Sequence, residues 1–277
     1  MANKDVSPAS YLKFREFLEK QCGIVLGDNK QYLVRSRLAS LLYKHKYESA
    51  DELIDVVVKG FDRTLLQNVI DAMTTNETLW FRDNYPFDLL VKELLPTLSA
   101  KNQKLRIWSA ACSSGQEPYS IAMSVLEYQC QRPGALRAGV EIVATDLSSE
   151  MLQKCELGIY DELSLARGLS PQRRQAFFQQ NDSGLMQVKP DVRRMVSFRS
   201  LNLLSSYAAL GRFDIVFCRN VLIYFSAEVK QRILQQIAGQ LQPQGVLFLG
   251  ASESISAASE IYSMVKCHPG LYYQKMI

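Results

Sequence analysis

Apolar runs alternating with helical patterns restrict this fold more than any other feature of the chain. The runs are residues 104–109 (KLRIWS), 140–145 (VEIVAT), 213–218 (FDIVFC) and 245–249 (GVLFL). Helical patterns follow three of them: about 116–129, from Ser148 onward, and Ser226 to about Leu241. Strands alternating with helices fold as right-handed βαβ units, which predicts a mostly parallel, doubly wound α/β sheet.

Before about Asn84 the pattern is different and reads as all-helical. Ser7-Pro8 supplies a cap and a first-turn proline, and Tyr11, Phe14, Leu18 and Cys22 mark one face up to Gly23. A second helix covers about 29–46. A third starts at Ser49, with Glu52 three residues on as a capping box. A fourth follows Asp62 and carries Leu65, Leu66, Val69, Ile70 and Met73. Four short helices with short links make a bundle over 1–75, followed by a sheet domain over 76–277. Two stretches interrupt the βα alternation. Residues 158–183 read as helical and polar, and 185–198 as short alternating strands, giving a small antiparallel insert at about 184–199. The end, 262–275, reads as a hairpin around His268-Pro269-Gly270, which adds a terminal antiparallel strand.

Composition excludes several chemistries. His45 and His268 are the only histidines, which disfavours a histidine base or a multi-histidine metal site. The six cysteines form no C-x-x-C pair and have no zinc-ligand spacing, so they read as buried reduced thiols, with no metal expected. Lys plus Arg is 32 against 28 for Asp plus Glu, and a net charge of +4 is too small to imply nucleic acid. No apolar run approaches the roughly 18 residues of a membrane span. Met1-Ala2-Asn3-Lys4-Asp5-Val6 lacks an apolar signal core, so the expected location is cytoplasmic.

Ligands of an open α/β sheet bind beyond the carboxyl ends of its strands, near the topological switch point. The first strand ends in Ser109-Ala110-Ala111-Cys112-Ser113-Ser114-Gly115-Gln116-Glu117-Pro118-Tyr119-Ser120. This run of small residues admits a ligand close to the backbone, but it is not G-x-G-x-x-G, which weakens a dinucleotide reading. The second ends in Thr145-Asp146-Leu147-Ser148, where Asp146 suits ribose hydroxyls or, alternatively, a helix cap. Leu201-Asn202-Leu203-Leu204 precedes the third strand, and Phe217-Cys218-Arg219-Asn220-Val221-Leu222-Ile223-Tyr224-Phe225 leaves it with Arg, Asn and Tyr over the sheet edge. Outside the sheet, Thr74-Thr75-Asn76-Glu77-Thr78-Leu79-Trp80-Phe81-Arg82-Asp83 bridges bundle and sheet. It is too rich in aromatic and polar side chains for a flexible linker.

Together these segments, with Ser252-Glu253-Ser254, resemble the CheR family of S-adenosylmethionine-dependent chemotaxis receptor methyltransferases. The resemblance runs from Gly23-Ile24-Val25-Leu26 to the terminal hairpin. Gln116 stands where the family often has Glu, and Trp80 where it often has Phe. The resemblance implies a helical N-terminal domain for receptor docking on a Rossmann-like methyltransferase core with a β insert. It implies cofactor contacts from Asn76, Thr78, Arg82, Glu117, Asp146, Asn202, Leu203, Arg219 and Asn220. Asp146 suits the ribose, Glu117 the cationic end of the cofactor, an arginine its carboxylate, and Asn202 and Leu203 the adenine.

The implied reaction esterifies glutamate side chains of chemoreceptors and leaves S-adenosylhomocysteine. A glutamate is already ionised at pH 7, with a reference pKa near 4.3, and needs no base. Arg82 and Tyr224 are then expected to orient the reacting groups. On the second helix, Lys30, Arg37 and Lys44 recur every seven residues and share one flank, an expected docking surface for the Glu-rich methylation helices of receptors. A regulatory adaptor is a further possible partner. In some members of the family the β insert captures a receptor C-terminal peptide by strand addition; here the short loop 179–184 favours direct docking. Two alternatives stand beside this reading: a methyltransferase of another substrate, and a non-enzymatic cofactor-sensing adaptor.

Overall fold

The computed structural model describes residues 6–276. Residues 1–5, which carry most of the no-export expectation, lie outside it. Helices α1 (Pro8–Cys22), α2 (Gln31–His45), α3 (Ala50–Lys59) and α4 (Arg63–Met73) form the bundle. Their starts follow the capping residues. Ser7 Oγ accepts the Ser10 N–H, Ser49 Oγ that of Glu52, and Asp62 those of Thr64 and Leu65. The capping box is displaced by one residue, because Glu52 accepts the N–H of Glu48 at 2.9 Å rather than that of Ser49. Phe14, Leu18, Val34, Leu38, Leu53 and Ile54 are fully buried between the helices. Each such side chain contributes on the order of 1.5–3 kcal/mol of transfer free energy.

An element without a sequence expectation connects the two parts. Helix α5 (Tyr85–Leu89) passes through a π-helical turn (Leu90–Leu94) into α6 (Leu95–Ser99). Pro96 lies just beyond the wide turn and offers no N–H to a normal helical ladder. The core then runs β1 (Leu105–Ala110), α7 (Gln116–Gln131), β2 (Val140–Asp146), α8 (Ser149–Leu157), β3 (Ile159–Tyr160), α9 (Glu162–Ala166), α10 (Pro171–Phe177), β4 (Phe178–Gln180), β5 (Met186–Val188), α11 (Pro190–Arg193) and β6 (Val196–Ser200). It finishes with β7 (Phe213–Cys218), α12 (Ala227–Gln240), β8 (Leu241–Leu249), β9 (Tyr262–Lys266) and β10 (Leu271–Lys275).

Seven strands form one sheet in the order β6-β2-β1-β7-β8-β10-β9. All its pairings are parallel except those of β10, which runs antiparallel to β8 and β9. The chain leaves β1 towards β2 and later returns to its other side as β7, so the switch point lies between β1 and β7. Alternating side chains supply two cores. Ile107 and Phe217 face one layer with Phe87 and Tyr119, and Trp108 and Val216 face the other with Leu234 and Tyr262.

The insert differs from its expectation at 184–199. The small antiparallel sheet is β3-β5-β4, drawn from residues 159–160, 178–180 and 186–188. Val196–Ser200 is instead the edge of the main sheet, with Ile142 opposite Val196 and Asp146 opposite Ser200 in parallel register. An edge strand covered mainly on one face shows the same period of two as an antiparallel strand, and α11, opened by Pro190, separates the two strands.

Candidate active site

A cavity of about 290 Å³ lies between the carboxyl ends of the parallel strands and the bundle. The β1–α7 turn forms its floor. Ala111, Ser113 and Gly115 adopt φ of 57°, 49° and 94°, so the chain turns within a few residues and its amides point at the neighbouring strand end. The Ser113 N–H donates to Asp146 Oδ2 at 2.7 Å and the Ser148 N–H to Oδ1 at 2.8 Å. The Leu147 amide also acts on this carboxylate. Burial pushes the Asp146 carboxyl above the usual range, and these amides partly offset the shift.

At the other end, a buried arginine is held by two acids. Arg219 Nη1 is 3.1 Å from Glu117 Oε2, and Nη2 is 2.6 Å from Asp83 Oδ2 and 3.0 Å from the Arg82 carbonyl. Ser109 Oγ donates to the other oxygen of Glu117 at 2.8 Å. Burial raises the Glu117 carboxyl, and the charge of Arg219 opposes it. Arg219 Nε is buried with no hydrogen-bond partner among the described residues, an orphan donor beside the cavity.

The segment that carries Arg82 is fixed from several sides. Trp80 donates its backbone N–H to Arg167 O at 3.0 Å and its indole N–H to Ser164 O at 3.1 Å. Gly168, at φ 95°, leaves space for the Trp80 carbonyl, which a Cβ there would approach to 2.1 Å. Phe81, Asp83 and Asn84 all have positive φ, which swings Arg82 to the cavity and Asp83 to Arg219. Asn76 donates to Thr74 Oγ1 at 3.0 Å, and its carbonyl accepts from Ser113 Oγ at 2.9 Å.

Every residue expected to touch the cofactor lines this cavity: Asn76, Thr78, Arg82, Glu117, Asp146, Asn202, Leu203, Arg219 and Asn220, with Tyr224 beside them. The Asn202 amide also joins the two parts of the chain. It donates to Gln21 O at 2.7 Å, and its oxygen accepts the Leu204 N–H at 2.9 Å. One N–H and one lone pair remain for a ligand.

The expected basic flank of α2 is divided between the cavity and solvent. Arg37 lines the cavity and is committed inward, donating to the carbonyls of Met73 and Thr74 and, at 2.8 Å, to Thr75 Oγ1. Lys30 is exposed beside Tyr32 at the rim of the cavity, which it also lines, and Lys44 is exposed outside the cavity. A seven-residue spacing places side chains on one flank but carries no information about acceptors at the end of α4. Three contributors had no role from sequence. Asp83 is visible only as the last residue of its motif, Glu253 only as part of a matching triplet, and the α1–α2 link (Ile24, Val25, Leu26, Gly27) only as the start of the resemblance. The pocket thiol Cys112 is pushed well up by its contact with Cys155 and by burial, and Cys218 by burial, so neither suits a nucleophile.

Comparison with known proteins decides the family. Residues 76–271 match the CheR methyltransferase, SAM binding domain, and residues 9–74 match the CheR methyltransferase, all-alpha domain. The chain belongs to the CheR methyltransferase family. It is 55% identical over 269 residues to a chemotaxis protein methyltransferase of Vibrio parahaemolyticus, covering 97% of this chain and 98% of that one. It is 56% identical over 268 residues to chemotaxis protein methyltransferase 1 of Pseudomonas aeruginosa, covering 96% and 97%. The Listeria innocua relative is 37% identical over 246 residues, covering 88% and 90%. This CheR protein is therefore an S-adenosylmethionine-dependent methyltransferase of chemotaxis, and neither alternative is favoured. The cavity suits the cofactor: Asp146 would meet the ribose diol, Glu117 an ammonium and Arg219 a carboxylate. Among the described residues, no helix is long and apolar enough to cross a membrane.

Proposed function

We propose that this CheR protein methylates glutamate side chains of chemoreceptors, forming esters, from the cytoplasmic side. The supporting observation is the state of the cavity's own carboxylates. Glu117 is engaged by Ser109 and Arg219, Asp146 by two backbone amides, and Glu77 by Arg167 at 2.9 Å. No histidine lines the cavity. A site whose possible bases are already engaged suits a nucleophile that arrives deprotonated, as a glutamate does at pH 7.

S-Adenosylmethionine supplies an electrophilic methyl on a sulfonium that departs neutral. The residues of the chain hold, orient and exclude water, and such positioning supplies roughly 7–11 kcal/mol. Among the described residues the Arg82 guanidinium has a single tether, a 3.4 Å contact to the Glu77 carbonyl, so it can meet an incoming carboxylate. Its role is orientation, because a close salt bridge would lower the nucleophilicity it is meant to aim. Tyr224, which also lines the cavity, shares this orienting role. The exposed Lys30 and Lys44 attract a Glu-rich receptor helix to the bundle and weaken with salt.

The test is tritiated methyl transfer to receptor cytoplasmic fragments, with alkaline release of methanol as evidence of an ester. Absence of base-labile label would exclude glutamate esterification. Arg82→Ala and Tyr224→Phe should lower kcat; near-wild-type rates in both would remove their assigned roles.

A further inference from the structure

We propose that Glu253 is the positioning residue of the active site, holding both Asn220 and the turn that carries Tyr224. The inference rests on the cofactor reading of the cavity. The Glu253 carboxylate binds three backbone amides from two loops. Oε1 accepts the Leu222 N–H at 2.7 Å, and Oε2 accepts those of Asn220 and Gly250, each at 2.7 Å. The Glu253 N–H returns to the Gly250 carbonyl at 2.9 Å. A carboxylate satisfied by three short amide bonds is a strong, charge-assisted clamp between the ends of β7 and β8.

Two features make the clamp matter to the site. Asn220 sits at φ 58°, a left-handed conformation that a non-glycine residue holds only when its surroundings impose it. The bond from its own N–H to Glu253 is such a constraint. Leu222 opens the 3₁₀ turn Leu222–Tyr224, so anchoring its N–H sets where Tyr224 begins. Gly250 completes the arrangement. A Cβ there would come within 2.6 Å of Asn220 Nδ2 and 2.7 Å of Glu253 Oε2, so any side chain would force the loops apart. Glu253 does not line the cavity and therefore acts through these residues. Among the described residues no other side chain bonds the Asn220 or Leu222 amide.

The test uses the full chain, S-adenosylhomocysteine and receptor fragment. Glu253→Gln keeps the shape, removes the charge and turns an NH₂ group towards amides that need an acceptor. It should weaken S-adenosylhomocysteine binding at least tenfold by calorimetry. At saturating cofactor kcat should stay reduced, through Tyr224, while the receptor KM is unchanged. A merely structural loss of stability would be reversed by saturating cofactor. The wild-type chain provides a test independent of variant folding: the amide protons of Asn220, Leu222 and Gly250 should resonate far downfield, as carboxylate-bonded amides do. Affinity within twofold of wild type in Glu253→Gln, or ordinary shifts at all three amides, would overturn the proposal. A wild-type chain that bound no S-adenosylhomocysteine would instead fail the cofactor reading, and the amide shifts would still decide the clamp.

Discussion

Arg219 and Asp83 meet at 2.6 Å across 136 residues of sequence, and this contact ties the loop of Arg82 to the strand end that faces the cofactor. The arginine side chain is almost completely buried, while that of Asp83 is one-third exposed. Asp83→Asn keeps the shape but leaves Arg219 with one charged partner, Glu117. A hydrogen bond to a charged group contributes about 1.5–3 kcal/mol. Methyl-transfer kcat/KM should therefore fall by roughly tenfold or more, with weaker S-adenosylhomocysteine binding by calorimetry. Unchanged kinetics would mean that Glu117 alone fixes Arg219.

Arg37 and Lys44 share a flank of α2 but should respond differently to charge reversal. Arg37 holds the carbonyls of Met73 and Thr74 at the end of α4 and the Thr75 hydroxyl, all on residues that line the cavity. Arg37→Glu should raise the receptor KM and the S-adenosylhomocysteine Kd together, each several-fold. Lys44→Glu should raise only the receptor KM, and the increase should shrink in high salt. A pure receptor-KM effect from Arg37→Glu would return Arg37 to the docking surface.

Residue type carried much of this site and side-chain partners carried the rest. Arg219 and Asn220 at the end of β7 are legible as cavity positions because such residues after an apolar strand are hard to explain as core, whereas Asp146 at the end of β2 reads equally as a helix cap. The helices of the bundle were legible from Ser7, Ser49 and Asp62. Helical periodicity reports a face, not what packs against it, so it places Arg37 on the basic flank while its guanidinium turns inward to Met73, Thr74 and Thr75. Val196 and Phe198 were assigned to the insert because a period of two is common to edge strands of either pairing direction. Asp83 and Glu253 stand in quoted motifs but carry no role there, since their partners Arg219, Asn220 and Leu222 lie 136 and about 30 residues away and meet them only in the fold.

Glu141 provides a pH test at the far end of the sheet. Hydrogen bonds and charge from Arg106 and Lys104 hold its carboxyl down to about 2. A depressed folded pKa gives stability that is present above the unfolded value, near 4.3, and lost as the pH falls from there towards 2. Glu141→Gln should therefore lower Tm at pH 6, and the difference should narrow between pH 4.5 and 2.5. A difference that stays constant over that range would mean the pair contributes packing rather than charge.

Cofactor affinity should respond to acid at a higher pH than an ordinary glutamate would set. Burial raises Glu117, against the opposing charge of Arg219, so on acidification it takes up a proton above the usual 4.3. A protonated Glu117 cannot pair with the ammonium assigned to it. The Kd for S-adenosylhomocysteine should thus rise as pH falls, beginning above pH 4.3. Asp146, also raised by burial, adds to the same limb through the ribose contact. Glu117→Gln should raise the Kd at pH 7 and flatten the part of the acid limb that belongs to Glu117, leaving the part due to Asp146. Calorimetry from pH 5 to 8 measures both. If Glu117→Gln and wild type traced the same profile, displaced by a constant, the proton would reside elsewhere and Glu117 would not be the ammonium partner.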